Sequence, residues 1–431
     1  MTPRRRHFPK GTTAAKGLVA LGGIAARAQD AARTLRFIPA GNLSSIDPIV
    51  TTGDPIRNHG YMVYDTLFGE DESFAIKPRM VGKVEEAEDG LTYVFTLRDG
   101  LLWHDGAPVL AQDCIARIRR WGAKGGLGQS LQVVSEALEA VDDRTIRFRL
   151  SEPFPLIYTA LGKSSTLVCF MMPGRIAGAV DHTTQITDAT GSGPFRVLPD
   201  AWVPGSKAVY EKFQGDLPRE EAPSGISGGK VVHVDRVEWL ILPDQSTAIS
   251  ALMRDEVDWF EKPDLSLLPL LEGDPDAIVD ACDPYQGTLL RFNHPQAPFD
   301  NAKVRQAVAT AVNQTEILTA MVGEGNFEEC KSFFFCGTPM SSGAGSEMMK
   351  AEPALARQML QEAGHAGEKV VIISATDIPW IHTASLVVEQ MLKGIGMTVE
   401  TQLMDLGTWF TRRANSGPNA RCAGCAAARS G

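Results

Sequence analysis

The clearest alternation of apolar and polar positions lies between Asp89 and Asp113. Between the turn dipeptides Asp89-Gly90 and Asp99-Gly100, large apolar side chains occupy every second position, which is the period of a half-buried strand; they are Leu91, Tyr93, Phe95 and Leu97. Asp105-Gly106 adds a third turn signal, because glycine tolerates positive φ and aspartate caps nearby backbone amides. The segment therefore predicts a β-meander that leads into a helix.

The same patterns predict alternating strands and helices along the rest of the chain. Apolar residues three and four positions apart predict helices through 61–68, from 111, from 246, after an Asp300 N-cap, and over 354–364 and 382–395. Strands are predicted over 35–38, 145–150, 234–244, 256–259, 288–293, 370–374 and 398–403. This alternation favours an α/β architecture. From Asn415 onward the hydrophobic period is lost, and no core element is predicted there.

Length and charge restrict the class of protein. The 431 residues suffice for two or three domains with sizeable cores. Hydrophobic residues make up 44% and charged residues 22%, which is ordinary for a soluble globular protein. The formal net charge is −10 and no basic stripe follows the first residues, so nucleic-acid binding is not expected.

The first 28 residues have the order of an export signal. Arg4-Arg5-Arg6 precedes an apolar run from Gly17 to Ala26 and then the small-x-small step Ala26-Arg27-Ala28. The paired arginines resemble a twin-arginine signal, although Lys16 beside the apolar run is atypical; a basic tail is the alternative. The apolar run is shorter than the roughly 20 residues that span a bilayer. We therefore expect a soluble protein exported to the periplasm.

The seven cysteines do not form an obvious disulfide framework. Cys114, Cys169 and Cys282 lie in apolar or mixed contexts and are expected to be buried. Cys330 and Cys336 can form a local disulfide after export, and the sequence leaves this open against two free thiols. Cys422 and Cys425 lie in a tail without periodicity, so no metal or redox site is expected there.

Five segments, in this order, resemble the peptide- and nickel-type family of extracellular solute-binding proteins (family 5), which serve ABC importers. They are the meander, GSGPF at 191–195, the strand-helix unit at 234–259, LRFNHPQAPFDNAKVRQAVATAVNQTEI at 290–317, and ARQMLQEAG at 356–364. The resemblance covers roughly residues 35–413. Family members continue well beyond this length, so a truncated or frameshifted product without function is one alternative.

The resemblance implies an α/β protein with a two-lobed periplasmic-binding-protein fold (type II, clamshell) and an extra domain on the first lobe. The implied domains are an export signal (1–28), lobe I (33–55 plus 185–285), the extra domain (56–184), an incomplete lobe II (286–413) and an aberrant tail (414–431). The implied function is to bind di- or oligopeptides between the lobes and deliver them to ABC permease subunits in the membrane. A monomer without cofactor or metal is expected.

The resemblance also places candidate ligand contacts in three regions. Asn42, Leu43 and Ser44 match the loop whose backbone lies along the peptide like an added strand. Leu127 and Gln129 belong to Gly125–Gln129, which matches a loop that faces the cleft, and Trp409 matches a region of aromatic contacts. For each residue a purely structural role is the alternative.

Other ligands and other functions are alternatives to peptide binding. Nickel, haem or another small solute remains possible within the family, although no histidine or methionine cluster favours a metal. The chain has no HExxH or GxSxG motif, and Gly228-Gly229-Lys230 lacks the rest of a phosphate-binding loop. An enzyme is therefore not expected.

Overall fold

The computed structural model describes residues 33–271, 273–280, 286–376, 378–406, 408–409 and 412, and the backbone of 425–430. The predicted export signal, Cys282 and Cys422 lie outside the described residues. So does most of the predicted tail.

The strands and helices alternate along the chain as predicted. The strands are β1 (Thr34–Ile38), β2 (Phe68–Glu70), β3 (Ile76–Pro78), β4 (Val81–Glu86), β5 (Thr92–Leu97), β6 (Ser135–Ala140), β7 (Thr145–Leu150), β8 (Phe195–Val197), β9 (Lys207–Lys212), β10 (Arg236–Leu240), β11 (Trp259–Phe260), β12 (Gln286–Arg291), β13 (Lys369–Ala375), β14 (Thr398–Met404) and β15 (Cys425–Ser430). The α-helices are α1 (Asp54–Val63), α2 (Ala111–Gly122), α3 (Gly126–Val134), α4 (Ile157–Gly162), α5 (Gly174–Ala177), α6 (Gln245–Met253), α7 (Ala302–Ala311), α8 (Gln314–Val322), α9 (Pro353–Glu362) and α10 (Pro379–Gly394). Short 3-10 helices cover Pro199–Ala201, Leu265–Leu271 and Ser346–Met348.

The first sheet has the strand order β11-β1-β10-β9-β8. Strand β1 runs parallel to both β10 and β11, whereas β9 is antiparallel to its neighbours. Helix α1 packs on this sheet through Ile56 and Val63, and Nδ1 of its His59 lies 3.1 Å from the Tyr210 hydroxyl. The buried side chains of α1 therefore share one core with the strands of this sheet.

The predicted meander belongs to a separate antiparallel sheet with the order β4-β5-β7-β6. Tyr93, Phe95 and Leu97 are buried on one face of β5, as their alternation predicted. The glycines of the three turn dipeptides all adopt positive φ, between 66° and 86°. Helices α2, α3 and α4 complete a core of their own around this sheet, which forms the extra domain.

The third sheet has the order β12-β15-β13-β14 and supports α7 to α10. Strand β15 is antiparallel to β12 along six residue pairs and meets β13 at the pair Ile373–Cys425. The sequence pattern predicted no core element beyond Asn415, and this prediction was wrong for 425–430. Ladder hydrogen bonds come from the backbone, so an alanine-rich segment can pair without alternating apolar residues.

Two predicted helix boundaries differ from the structure. The helix expected through 61–68 ends at Val63, and Phe68 already begins β2. The prediction failed because the apolar residues at 61–68 do not belong to one helix: the first lie at the end of α1 and the last begins β2. The N-cap of α7 is Asn301, whose Oδ1 accepts the Lys303 backbone N–H at 2.9 Å, rather than Asp300.

The structure confirms the predicted burial of Cys114 and Cys169, and it pairs the two cysteines that the sequence left open. Cys330 and Cys336 form a disulfide, while Cys114 and Cys169 are free and buried. The side-chain amide of Gln314, at the start of α8, binds the backbone of Cys330 through two hydrogen bonds of 2.8 and 3.0 Å. Cys330, the first residue of the disulfide loop, is therefore attached to the start of α8 in the second lobe.

A buried ionic cluster joins the extra domain to the segment 213–230 of the first lobe. Arg79 donates from Nε to Asp65 Oδ1 at 2.8 Å and from Nη1 to the Ile226 carbonyl at 2.6 Å. Lys230 Nζ lies 3.8 Å from the same Asp65 oxygen. Burial alone would raise the pKa of Asp65, but Arg79 and Lys230 outweigh it and hold that pKa at about 2.

Asp216 lies near this cluster, but there the positive charges do not outweigh the effect of burial on the pKa. Burial raises its pKa to about 6, against the partial opposing effect of Lys230 and Arg79. The folded protein therefore holds the Asp216 proton more tightly than the unfolded chain does. This contribution to stability is complete below about pH 4 and is lost as the pH rises through 6.

We predict that Asp216→Asn changes the pH dependence of unfolding. Relative to the variant, the wild type should lose up to about 3 kcal/mol of unfolding free energy between pH 3.5 and pH 7.5, since each pKa unit corresponds to about 1.4 kcal/mol. Urea unfolding of both proteins across this range measures the difference. The exposed Asp200→Asn is the control, and a difference that stays constant with pH for Asp216→Asn would contradict the prediction.

Candidate functional site

The parallel strands of the first sheet end at one edge, and polar side chains gather there. In open α/β sheets the crevice beyond the carboxyl ends of the strands is the usual ligand site. The loop 39–47 leaves β1 at this edge, α1 begins there at Asp54, and β11 ends there before Glu261. This carboxyl edge is the candidate functional site of the first lobe.

Four side chains connect the loop, the helix and the edge strand. Glu261 accepts the Ala40 backbone N–H at Oε2 (2.7 Å) and the Asn58 side-chain N–H at Oε1 (2.8 Å). Lys262 Nζ binds Asp54 Oδ2 at 2.8 Å. Each of these side chains is only partly accessible to water. The start of the loop is therefore held by charge-assisted hydrogen bonds, which are stronger than neutral ones.

The far end of the same loop is held by a fully buried ion pair. Arg120 Nη2 donates to Asp47 Oδ2 at 2.6 Å, and Nη1 lies 3.2 Å from Oδ1. The Ile186 backbone N–H donates to the same carboxylate at 3.2 Å. Burial alone would raise the pKa of Asp47, but the hydrogen bonds and charge of Arg120 bring it below its usual value. Asp47 is therefore ionised at neutral pH.

The three predicted loop residues lie between these two attachments. Leu43 is 1% exposed and packs in the core of the first lobe, and its carbonyl accepts the Trp202 Nε1–H at 3.2 Å. Asn42 and Ser44 are exposed on either side of it, and Asn42 Oδ1 accepts the Gly205 N–H at 2.8 Å. The Leu43 side chain thus anchors the loop, while its neighbours face solvent.

Leu127 and Gln129 lie in the extra domain, where a loop was predicted. Gly125–Gln129 instead forms the first turn of α3, with the Gln129 N–H bonded to the Gly125 carbonyl at 2.8 Å. Glycine allows this because a Cβ on Gly128 would lie 2.9 Å from the Trp121 ring. Leu127 packs against the core of the extra domain, and Gln129 is exposed.

Trp409 is buried in the second lobe. Its side chain is 1% exposed, packs with Ile373 and Ile381, and donates from Nε1 to the Ile373 carbonyl at 3.2 Å. The structure gives this residue a packing role at the carboxyl end of β13. The six predicted contacts are thus divided among the first lobe, the extra domain and the second lobe.

Sequence reasoning missed Glu261, Asn58, Asp47 and Arg120. Glu261 and Ala40 are 221 residues apart, and Asp47 and Arg120 are 73 apart. Only a weak local signal existed, namely the charged pair Glu261-Lys262 directly after a predicted strand.

The described residues offer little for catalysis or for a bound metal. Ser374 Oγ lies 3.1 Å from His382 Nδ1, but Ser374 is fully buried and cannot reach a substrate. No group of three or more His, Cys, Asp or Glu within the described ranges could hold a metal ion. Within the same residues, no helix combines the length and apolar character needed to cross a membrane.

Comparisons with known proteins agree with this architecture. A family model described as bacterial extracellular solute-binding proteins, family 5 Middle, matches residues 75–421. A probable peptide ABC transporter periplasmic-binding protein (y4tO) of Sinorhizobium fredii is 38% identical over 423 residues, covering 96% of this chain and 78% of that protein.

Solved structures show the same fold at lower identity. The oligopeptide-binding protein AppA of Bacillus subtilis, solved with a nonapeptide, has a TM-score of 0.73 and 19% identity, over 92% of this chain and 79% of its own. NikZ of Campylobacter jejuni, solved with Ni(L-His), has a TM-score of 0.71 and 18% identity, over 92% and 77%.

The fold and the carboxyl edge define a two-lobed binding protein of the periplasmic type II class, as the sequence predicted. The chain belongs to the family 5 bacterial extracellular solute-binding proteins. This family serves transport rather than catalysis.

We predict that Arg120→Met destabilises the protein by about 3–5 kcal/mol, because it leaves the buried Asp47 carboxylate without its partner. The loss should shrink as the pH falls, because protonation removes the unpaired charge. Urea unfolding at pH 7 and pH 4 measures both effects. The control is Arg147→Met, which removes a half-exposed pair with Glu139 and should cost at most about 1 kcal/mol. Equal losses for the two variants would refute the role given to Arg120.

Proposed function

We propose that this protein binds short peptides at the carboxyl edge of the first lobe and delivers them to ABC permease subunits. The observation that carries the proposal is the loop 39–47, which is fixed at Ala40 by Glu261 and at Asp47 by Arg120. A backbone segment held at both ends can pair with an extended ligand without losing further conformational freedom. The relative at 38% identity, a probable peptide ABC transporter periplasmic-binding protein, supports this ligand class.

The proposal also assigns a role to each candidate residue and a cellular location to the protein. Asn42 and Ser44 offer backbone groups to the peptide, while Leu43 holds the loop on the core. Leu127, Gln129 and Trp409 remain candidate contacts from the other two regions, although Trp409 would have to act through its surroundings because it is buried. The protein acts as a monomer in the periplasm, without catalysis and without nucleic acid.

Nickel, haem and other solutes are weaker candidates for this chain. NikZ shares the fold at 18% identity, which shows the architecture alone. The described residues also contain no cluster suited to a metal ion. Peptide therefore remains the proposed ligand.

We predict that a peptide stabilises the purified chain and free amino acids do not. Calorimetric titration with pools of di-, tri- and tetrapeptides should give dissociation constants in the micromolar range or tighter. Ligand at 100 times its dissociation constant should add about 2.7 kcal/mol to the unfolding free energy. Nickel with histidine, and haem, are titrated in parallel. Binding of one of these without binding of any peptide pool would overturn the proposal.

A further inference from the structure

The edge strand β11 is held in place by carboxylates at both of its ends. Trp259 and Phe260 pair with β1, and the backbone N–H groups of the flanking Asp258 and Glu261 donate to the Arg36 and Ile38 carbonyls at 2.8 and 3.0 Å. Before the strand, Asp258 Oδ2 accepts the Arg36 backbone N–H at 2.7 Å. After it, Glu261 Oε2 accepts the Ala40 backbone N–H, also at 2.7 Å. Both carboxylates bind the β1 segment, Asp258 at the middle residue of the strand and Glu261 at the second residue beyond its end.

Of these two carboxylates, only that of Glu261 contacts the loop of the candidate site. Ala40 is the second residue after β1 and the point from which the exposed loop residues extend. The other oxygen of Glu261 accepts the Asn58 side chain of α1, so both oxygens receive N–H donors. A group that accepts two donors in fixed directions has little freedom to turn. Glu261 thereby fixes the Ala40 N–H at the point where the loop leaves β1.

We propose that Glu261 is a positioning residue for ligand binding, which holds the backbone of residues 39–44 in the form that receives the peptide. This rests on the proposed function, and it adds a residue that does not itself touch the ligand. Asp258 binds the backbone N–H of Arg36 in the middle of β1, together with a bidentate contact to the Arg36 guanidinium. Its loss should therefore affect the strand but not the loop.

The test compares Glu261→Gln with Asp258→Asn in the full chain. Glutamine keeps the shape of glutamate but replaces one oxygen with an NH₂ group, which would face one of the two donors. We expect hydrogen exchange in the free protein to rise about tenfold in a fragment covering 39–45. The dissociation constant for trialanine, if the wild type binds it, should also rise about tenfold, while the thermal midpoint stays close to that of the wild type. A tenfold change corresponds to about 1.4 kcal/mol.

Asp258→Asn should increase exchange around Arg36 but leave exchange at 39–45 and peptide affinity within about twofold of the wild type. Unchanged exchange at 39–45 in Glu261→Gln would overturn the positioning role. So would an equal loss of peptide affinity in both variants. If no peptide, trialanine included, bound the wild type, the proposed function would fail, while the exchange experiment would still decide whether Glu261 positions the loop.

Discussion

The buried ion pair between Asp47 and Arg120 is the contact on which the first lobe and the extra domain both depend. Arg120 belongs to α2 of the extra domain, and Asp47 ends the loop that follows β1. The Thr184 carbonyl and the Ile186 N–H bind the same two side chains, so the returning chain is fixed at this point as well. Because water reaches neither charge, losing either partner while the domains stay packed would leave the other charge buried and uncompensated, which is costly.

This ion pair also determines how the candidate site is organised. In the loop between β1 and Asp47, the buried side chain of Leu43 lies between two exposed residues, Asn42 and Ser44. With Asp47 bound to Arg120 and Ala40 bound to Glu261, its backbone is arranged before any ligand arrives. Under the proposed function, a peptide that paired with this backbone would lose less entropy on binding for that reason.

Local patterns in the sequence predicted the elements, but they could not predict which distant residues meet. Strand β5 follows from its alternating apolar residues, because burial on one face acts residue by residue. The strand at 425–430 was missed because backbone pairing leaves no such pattern. Glu261 was missed because its partner, Ala40, contributes only a backbone N–H, and every residue type except proline has one. Trp409 was placed by resemblance, and resemblance alone could not show that its ring is buried.

The register of β11 connects the packing of the core with the shape of the site. In this two-residue strand Phe260 is buried, whereas Trp259 is 53% exposed. A shift of one residue would exchange their faces and place Trp259 in the space that Phe260 occupies. Asp258 and Glu261 oppose this shift, since each is bound to one particular N–H of the β1 segment. Glu261, which keeps Phe260 in register, is also the residue that binds Ala40 at the start of the candidate loop, so core packing and loop conformation are linked through one side chain.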